Sequence, residues 1–341
     1  MSEVKNKKAT ITDVARVAKV SKKTVSRVLN SEPNVKAETV KKVKAVMKQL
    51  DYHPSISARA LASKRSYLIS ILYFDYGGHY IYELQNGLSE HLNEHGYSLI
   101  LQPCPENQAA IIELIEQKVR QLNIDGFVLS PSLASMENIV EALTSMSKPV
   151  VRIGPTSKDP NDNVEVSGDE YMAAYDMTQH LLEVGYETIG FIAGRRDRVS
   201  SHLRLKGFKK AMKEAGIKVP ASHILYGNFR YESGVKCAEK LLSLDLPPEA
   251  IFASNDLMAA GVMSVAHRLG YEIPSDLAIA GFDDSPLSQQ LWPALTTVSQ
   301  PNRKLAKIAG QRLLDQINQR EVSSNELLQC SVITRASTVG E

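Results

Sequence analysis

Four polar side chains near the N-terminus, Lys22, Lys23, Ser26 and Arg27, have the chemistry needed to recognise DNA. Lysine and arginine can donate hydrogen bonds to O6 and N7 of guanine in the major groove. Most protein–DNA hydrogen bonds go to phosphates, so phosphate contact remains an alternative for each basic residue. We predict base contact for Lys22 and Lys23, with Arg27 as a third candidate.

A short rigid helix must carry these side chains, and residues 10–30, TITDVARVAKVSKKTVSRVLN, predict one. An apolar stripe in residues 14–18 indicates a first helix that would begin at a capping box. A break at residues 19–21 then separates it from a second helix, with Ser21 as N-cap. This order is typical of a helix-turn-helix, whose second helix enters the major groove. The residues predicted to cap helices or hold phosphates are Thr10, Ser21, Ser26 and Asn30.

The charge distribution agrees with a DNA-binding head. Residues 1–65 contain 16 Lys or Arg and 5 Asp or Glu, whereas the rest of the chain contains 24 and 33. A basic head on an acidic body concentrates the attraction for phosphate at one end. A third helical pattern, between Val40 and Leu50, would complete a small three-helix core.

The segment that follows the head predicts a hinge helix. Pro54 suits a first helical turn, and residues 55–63 form a pattern too short to be a stable helix on its own. An exposed Leu61 on such a helix could wedge between base pairs in the minor groove. A plain linker is the alternative interpretation.

The remainder of the chain alternates apolar strand patterns with helical patterns. LISILYF (68–74), DGFVLS (125–130), TIGFIAG (188–194) and LAIAGF (277–282) are examples of the predicted strands. This order predicts an α/β core of two doubly wound, parallel-sheet subdomains, with a ligand cleft beyond the carboxyl ends of the strands. The predicted boundaries are 1–53 for the head, 54–66 for the hinge and 67–341 for the core. Within the core, we predict one half at 67–165 plus a return segment from about 298, and another at 166–297.

The motifs TITDVARVAKVSKKTVSRVLN, YHPSISARALASKRS, AIFASNDLMAAG and LAIAGFDDSPLSQQLWPALTTVSQP resemble the lactose-repressor (LacI/GalR) family of transcription regulators. They extend from residue 10 to about residue 301. The resemblance implies a DNA-binding head, a hinge helix and a periplasmic-binding-protein-like core. Relatives often have serine where Lys36 stands, so we expect the third helix to lack its usual cap.

The resemblance also implies an effector site in the cleft. Sugar-binding relatives use an arginine, an asparagine and an aspartate at the positions that match Arg204, Asn255 and Asp283. An aromatic ring that stacks on the ligand matches Phe229. The weaker members of the set are Gln300 and Phe74. Asn255 could instead simply cap the helix that follows it. The basic run GRRDR (194–198) could favour an anionic ligand, although solvated surface is the more common role of such a run.

We therefore expect a repressor that binds a palindromic double-stranded DNA operator as a homodimer, with no C-terminal tetramerising repeat. A small-molecule effector would control operator affinity, and a carbohydrate is the first choice. A nucleoside, a purine or a phosphoprotein co-repressor is the alternative. A transport-type sugar-binding protein would share the core fold, but the basic head argues against it.

An enzyme is the competing class of function. His91, Glu94 and His95 match the HxxEH pattern of inverted zinc peptidases, but no further ligand motif follows. The sequence has no GxSxG, Walker A or GxGxxG motif, so we expect no catalytic activity, no cofactor and no metal. Three scattered cysteines, a charged N-terminus and the lack of a long apolar stretch predict a cytoplasmic protein without a membrane span.

Overall fold

The computed structural model describes residues 9–29, 35–52, 63, 65–74, 78–156, 164–322 and 325–340. The chain divides into two compact units, the head and the core, between Tyr67 and Leu68. Within the described residues, no helix combines the length and the apolar composition that a membrane crossing requires.

Three helices form the head: α1 (Ile11–Ala18), α2 (Lys22–Leu29) and α3 (Ala37–Gln49). Each helix turns small apolar side chains toward a shared core. The fully or largely buried members are Val14, Ala15, Ala18, Val25, Val28, Val43 and Val46. The predicted helix-turn-helix is therefore confirmed, and its third helix completes the core.

Local capping determines where the head helices begin. The Thr10 hydroxyl accepts a hydrogen bond from the Asp13 amide, and the Asp13 carboxylate accepts one from the Thr10 amide, which completes the capping box. These bonds and the nearby Arg16 lower the pKa of Asp13 to about 2. At the turn, Lys19 adopts a left-handed conformation (φ 51°) that ends α1. No side chain caps α3 at Lys36, as the sequence predicted.

The first half of the core is built on a six-stranded parallel sheet with the order β11-β5-β4-β3-β1-β2. Its strands are β1 (Leu68–Tyr73), β2 (Ser98–Pro103), β3 (Gly126–Leu129), β4 (Val150–Ile153), β5 (Val164–Gly168) and β11 (Asn325–Leu328). Its helices are α4 (Gly78–Glu94), α5 (Gln108–Leu122), α6 (Pro131–Ala134), α7 (Glu137–Ser145) and α13 (Asn302–Ile317).

Helices α4 and α13 pack closely against each other in this half. A side chain at Gly87 on α4 would place its Cβ atom 2.2 Å from the carbonyl oxygen of Arg303 on α13, so only glycine permits the contact. α13 also contacts the sheet, where Leu313 lies over Gly126. A separate apolar cluster that includes Phe127, Ile111 and Ile139 joins the sheet to α5 and α7.

The second half contains a four-stranded parallel sheet with the order β7-β6-β8-β9. The strands are β6 (Ile189–Ala193), β7 (Ile224–Tyr226), β8 (Ala250–Ala253) and β9 (Ala278–Ala280). The helices are α8 (Glu170–Val184), α9 (Val199–Glu214), α10 (Tyr231–Leu242), α11 (Asp256–Leu269), α12 (Pro286–Gln290) and α14 (Ala336–Val339), together with a 3₁₀ turn at Ala221–His223.

Side chains alternate along these strands, so the sheet has an apolar core on each face. Phe191 of β6 and Phe252 of β8 belong to one cluster, which includes Phe208 of α9. The next residue of β6, Ile192, and the residue before Phe252, Ile251, belong to the other. Phe191 stacks on Phe208 with ring centroids 4.8 Å apart. The doubly wound fold predicted from the sequence is confirmed.

The chain passes between the halves three times. It first leaves β5 for α8, and then crosses back from β10 (Thr297–Ser299) to α13, which packs on the first half. The last passage leads from β11 to β12 (Ser331–Ile333), which pairs with β10 in an antiparallel arrangement. This third crossing was not predicted, because its strands are only four and three residues long.

Candidate functional site

The N-terminal end of α2 presents the predicted DNA-contacting side chains. Lys22 and Lys23 occupy its first turn and are exposed, whereas Ser26 and Arg27 are half-buried. Ser21 caps the helix, because its hydroxyl accepts a hydrogen bond from the Thr24 amide at 3.0 Å. The backbone N–H groups and positive dipole at such a helix start favour anions, and the two lysines add charge there.

Thr10 and Ser21 both use their hydroxyl groups as helix caps, which is one of the two roles predicted for them. Asn30 and Leu61 lie outside the described residues, as does most of the predicted hinge. Contact with DNA remains a prediction for every head residue named above.

A cavity of about 390 Å³ lies between the two halves of the core. Side chains from both halves line it, at the carboxyl ends of the strands and in the loops beyond them. All six residues predicted for the effector site are among them: Phe74, Arg204, Phe229, Asn255, Asp283 and Gln300. The fold thus brings together residues that are as much as 226 positions apart in the chain.

A buried ion pair lines this cavity. Arg204, in the second turn of α9, donates from Nε to Glu170 Oε2 at 2.8 Å, and each side chain is at most 6% exposed. The guanidinium also donates to the carbonyl oxygen of Ser254 and lies 3.7 Å from the centroid of the Phe282 ring. Because removal from water penalises a lone charge, each partner depends on the other.

Asp283 lies on the loop after β9, with its backbone in a strained region (φ 113°). Its Oδ1 atom accepts a hydrogen bond from Gln300 Nε2 at 2.7 Å and is 4.0 Å from Nη1 of Arg204. Burial raises the pKa of Asp283 to about 7, although the nearby Arg204 acts in the opposite direction. The carboxyl group therefore changes its charge near neutral pH.

Asp256, which also lines the cavity, is more constrained. Its two carboxylate oxygens accept hydrogen bonds from the Thr297 hydroxyl and from the amide and hydroxyl of Ser285. Burial raises the pKa of Asp256 to about 6 despite these bonds. This residue fastens the loop after β9 to the start of α11, which fixes where Asp283 lies.

Asn255 does cap the helix that follows it, as the alternative interpretation held. Its Oδ1 atom accepts a hydrogen bond from the Met258 amide at 3.0 Å. Its Nδ2 atom donates to the carbonyl oxygen of Phe229 at 2.9 Å, so the same side chain supports the predicted stacking residue. Phe229 has a left-handed backbone (φ 68°). Its ring rests on Gly194, where a Cβ atom would lie 1.9 Å from Cζ.

Several cavity residues were not assigned to the effector site from the sequence, among them Glu170, Arg198 and Tyr80. Glu170 follows β5, and an acidic pair at a strand end could have indicated it as a cavity residue. Arg198 belongs to the basic run for which solvated surface was the favoured role. It is buried and donates to the carbonyl oxygen of Ser132 in the first half at 2.7 Å. Tyr80 has a buried hydroxyl group with no hydrogen-bond partner in the described structure, and no sequence pattern distinguished it.

The arrangement suits a neutral ligand that has many hydroxyl groups. Carboxylates and carbonyl oxygens accept hydrogen bonds, guanidinium and amide groups donate them, and aromatic rings supply apolar faces. Glu170 and Arg204 neutralise each other, so the site offers mainly directed hydrogen bonds. A helix-turn-helix head and a two-lobed ligand-binding core together define a ligand-responsive transcription regulator.

Comparison with known proteins establishes the family. Residues 10–55 match the model of bacterial regulatory proteins of the lacI family, and residues 178–338 match a periplasmic binding protein-like domain. The chain is 36% identical over 317 residues to catabolite control protein A of Priestia megaterium, covering 93% of this chain and 95% of the relative. It is 33% identical over 336 residues to the repressor CytR of Escherichia coli K12, covering 97% and 96%.

Solved structures agree. The lac repressor dimer bound to operator and the anti-inducer ONPF superposes with a TM-score of 0.77 at 27% identity, covering 98% of this chain and all of that one. The complex of the regulator CelR with cellobiose gives a TM-score of 0.75 at 27% identity, covering 96% and 99%. The chain belongs to the LacI family, and it is a DNA-binding transcriptional regulator with an effector-binding core.

Proposed function

We propose that this regulator is a homodimeric repressor whose affinity for a palindromic operator is controlled by a carbohydrate bound in the core cavity. One observation carries the proposal: both halves of the core contribute hydrogen-bonding and aromatic side chains to a single cavity. Its volume of about 390 Å³ falls in the range of small-molecule sites, roughly 300–1,000 Å³. None of the described helices could cross a membrane. As a site of action we propose the cytoplasm.

Each predicted effector residue has a role in this proposal. The Asp283 carboxylate accepts hydrogen bonds from ligand hydroxyls, and the Arg204 and Asn255 side chains donate to ligand oxygens. Gln300 holds Asp283 in place through the 2.7 Å bond between them. The rings of Phe229 and Phe74 contact the apolar faces of the sugar ring.

Control of DNA binding follows from thermodynamic linkage. The two halves can adopt two relative arrangements, and a ligand that contacts both halves binds one arrangement more tightly than the other. The affinity of the protein for operator then shifts by an amount that this difference in ligand affinity limits. Two-fold pairing would present two α2 helices to half-sites about one helical turn, or a multiple of it, apart.

Each predicted head residue has a role at the operator. The bases are contacted by Lys22, Lys23 and Arg27. The residues that contact phosphates or cap helices are Thr10, Ser21, Ser26 and Asn30, and Leu61 wedges into the minor groove.

A nucleoside or purine is the second candidate effector. The ring of Phe229, held against Gly194, offers one open face on which a base could stack. The buried, unpartnered hydroxyl group of Tyr80 could donate to a ring nitrogen or a sugar oxygen, so it does not distinguish the two classes.

Thermal melting against a panel of ligands tests the proposal. The panel contains mono- and disaccharides, sugar phosphates, nucleosides and purines. A ligand that binds only the folded state stabilises it by about 2.7 kcal/mol at 100 times its Kd. We expect a shift within one sugar class that disappears in Asp283→Asn and persists in Asp245→Asn, an exposed carboxylate outside the cavity. A shift with purines alone would transfer the proposal to the second candidate, and no shift with any ligand would contradict both.

A further inference from the structure

The C-terminal end of α4 and the turn that follows it carry three side chains that commonly bind metal ions: His91, Glu94 and His95. One potential ligand atom from each lies within 4.8 Å of the other two. The two imidazole ring centroids are 4.5 Å apart. Across the part of the chain that the structure describes, this is the one group of three or more His, Cys, Asp or Glu side chains that approach so closely.

The last turn of α4 and the turn that follows it create this arrangement. Residues three positions apart on a helix lie on the same face, so His91 faces Glu94. The turn after the helix then places His95 beside His91, where the two rings meet. The three side chains are not among those that line the effector cavity.

The ring of His95 is held in an orientation that suits a metal ligand. Its Nδ1 atom is 2.8 Å from the carbonyl oxygen of His91, a distance at which Nδ1 donates to that oxygen. The proton then resides on Nδ1, and the lone pair of Nε2 is directed away from the helix backbone. Metal-binding histidines in proteins are usually oriented by such a hydrogen bond to their second nitrogen.

His91 is restrained by packing. It is half-buried, and its ring packs beside Gly310 of α13, where a Cβ atom would lie 3.5 Å from Cδ2 in ordinary contact. Burial, followed by the proximity of His95, lowers the pKa of His91. The charged groups that act on it are Glu94 and Asp315, which attract a cation, and Lys307, which repels one.

We propose that His91, Glu94 and His95 bind a divalent transition-metal ion such as zinc on the outer face of α4. Tetrahedral zinc with bonds of about 2.0–2.2 Å places its ligand atoms roughly 3.4 Å apart. Glu94 is exposed and can close the remaining distance by side-chain rotation. Water completes the coordination, and the bound ion fastens the last turn of α4.

The ligand set also predicts metal selectivity. Two imidazoles and one carboxylate favour zinc, nickel and copper, whereas magnesium prefers oxygen ligands. The protein should therefore bind zinc in the presence of millimolar magnesium, and copper should compete with zinc for the same site.

Isothermal titration of the full chain with zinc chloride, after dialysis against a chelator, tests the proposal. We expect one zinc site that is lost, or weakened at least tenfold, in His95→Gln, because replacing even an outer-shell partner costs about 10–100-fold in affinity. His267→Gln is the matched control, since His267 is an exposed histidine near the end of α11. Thermal melting of each variant without metal establishes that the fold is intact.

Cobalt provides a second readout. Cobalt bound by two imidazoles should give a visible absorption band that is absent in His91→Gln and unchanged in His267→Gln. Equal zinc affinity in the wild type and His95→Gln, or a cobalt spectrum that survives loss of His91, would overturn the proposal.

Discussion

The head and the core place their functional groups in opposite environments. In the head, Lys22 and Lys23 are exposed at the start of α2. In the core, Arg204 and Glu170 line the cavity, where they are buried and bonded to each other. An exposed lysine of the head can therefore be replaced with little effect on folding, whereas Arg204 and Glu170 contribute both to the fold and to the shape of the cavity.

The capping carboxyl group of the head and the cavity carboxyl groups of the core differ in the sign of their pKa shifts. Hydrogen bonds in the capping box lower the pKa of Asp13 to about 2. Burial raises the pKa of Asp256 to about 6 and that of Asp283 to about 7. The fold therefore favours the ionised form of Asp13 and opposes ionisation of Asp256 and Asp283.

The largest expected effect is on the stability of the core. Arg204→Met leaves the buried carboxylate of Glu170 without its partner, which should lower the free energy of unfolding by about 3–5 kcal/mol. Arg268→Met is the matched control, because its pair with Glu239 is exposed on both sides. Breaking that pair should cost about 1 kcal/mol or less. Similar losses in the two variants, measured by urea denaturation, would contradict the comparison.

Removing the head lysines should reduce operator affinity without destabilising the core. Each lysine that contacts a base should contribute about 1–3 kcal/mol, or roughly 5- to 150-fold in affinity. Fluorescence anisotropy with operator and with random DNA measures the loss for Lys22→Ala and Lys23→Ala. Lys48→Ala, an exposed lysine at the end of α3, is the control. An equal loss on both DNAs would assign the lysines to phosphates.

The pH dependence of stability should have opposite signs in the two regions. Asp283 binds its proton more tightly when folded, so its contribution is fully present below the unfolded pKa near 4 and is lost as pH rises to about 7. Asp13 contributes stability above pH 4 that is lost as pH falls toward 2. The free energy of unfolding, measured by urea denaturation between pH 4 and 8, should decline as pH rises, and the decline should be smaller in Asp283→Asn. The same decline in the wild type and in Asp283→Asn would refute the raised pKa of Asp283.

The smallest expected effect is a gain in the stability of helix α3 in the head. Lys36→Ser supplies the side-chain cap that α3 lacks, and it should stabilise the helix by about 0.5–1 kcal/mol. Hydrogen exchange of α3 amides in the full chain measures this gain locally. Lys41→Ser, an exposed substitution inside the same helix, supplies no cap and should bring no gain. Equal protection in the two variants would show that capping is not the limiting factor.

Sequence reasoning succeeded where the determining interactions are local. The capping box at Thr10, the cap at Ser21 and the missing cap at Lys36 each depend on residues a few positions apart. The strand and helix patterns of the core were also readable, because burial on both sheet faces leaves continuous apolar runs. Family resemblance then located the six cavity residues, since each falls beside a recognisable motif or strand end.

The remaining features depend on partners that are distant in the chain. Arg198 reaches Ser132 across the cleft, so its burial could not be inferred from a basic run. The hydroxyl group of Tyr80 is hidden by surrounding structure, and Glu170 acquires its role through Ser200 and Arg204, which are 30 and 34 positions away. The third crossing uses short strands, whose pairing is decided by tertiary contacts rather than by local pattern.

We propose that occupation of the core cavity controls operator affinity. The most direct test measures operator binding by the wild type and by Asp283→Asn, with and without the ligand that raises the melting temperature. We predict equal operator affinity for both proteins without ligand, and a ligand-induced change in the wild type alone. A variant that still responds at the same ligand concentration as the wild type would contradict this proposal.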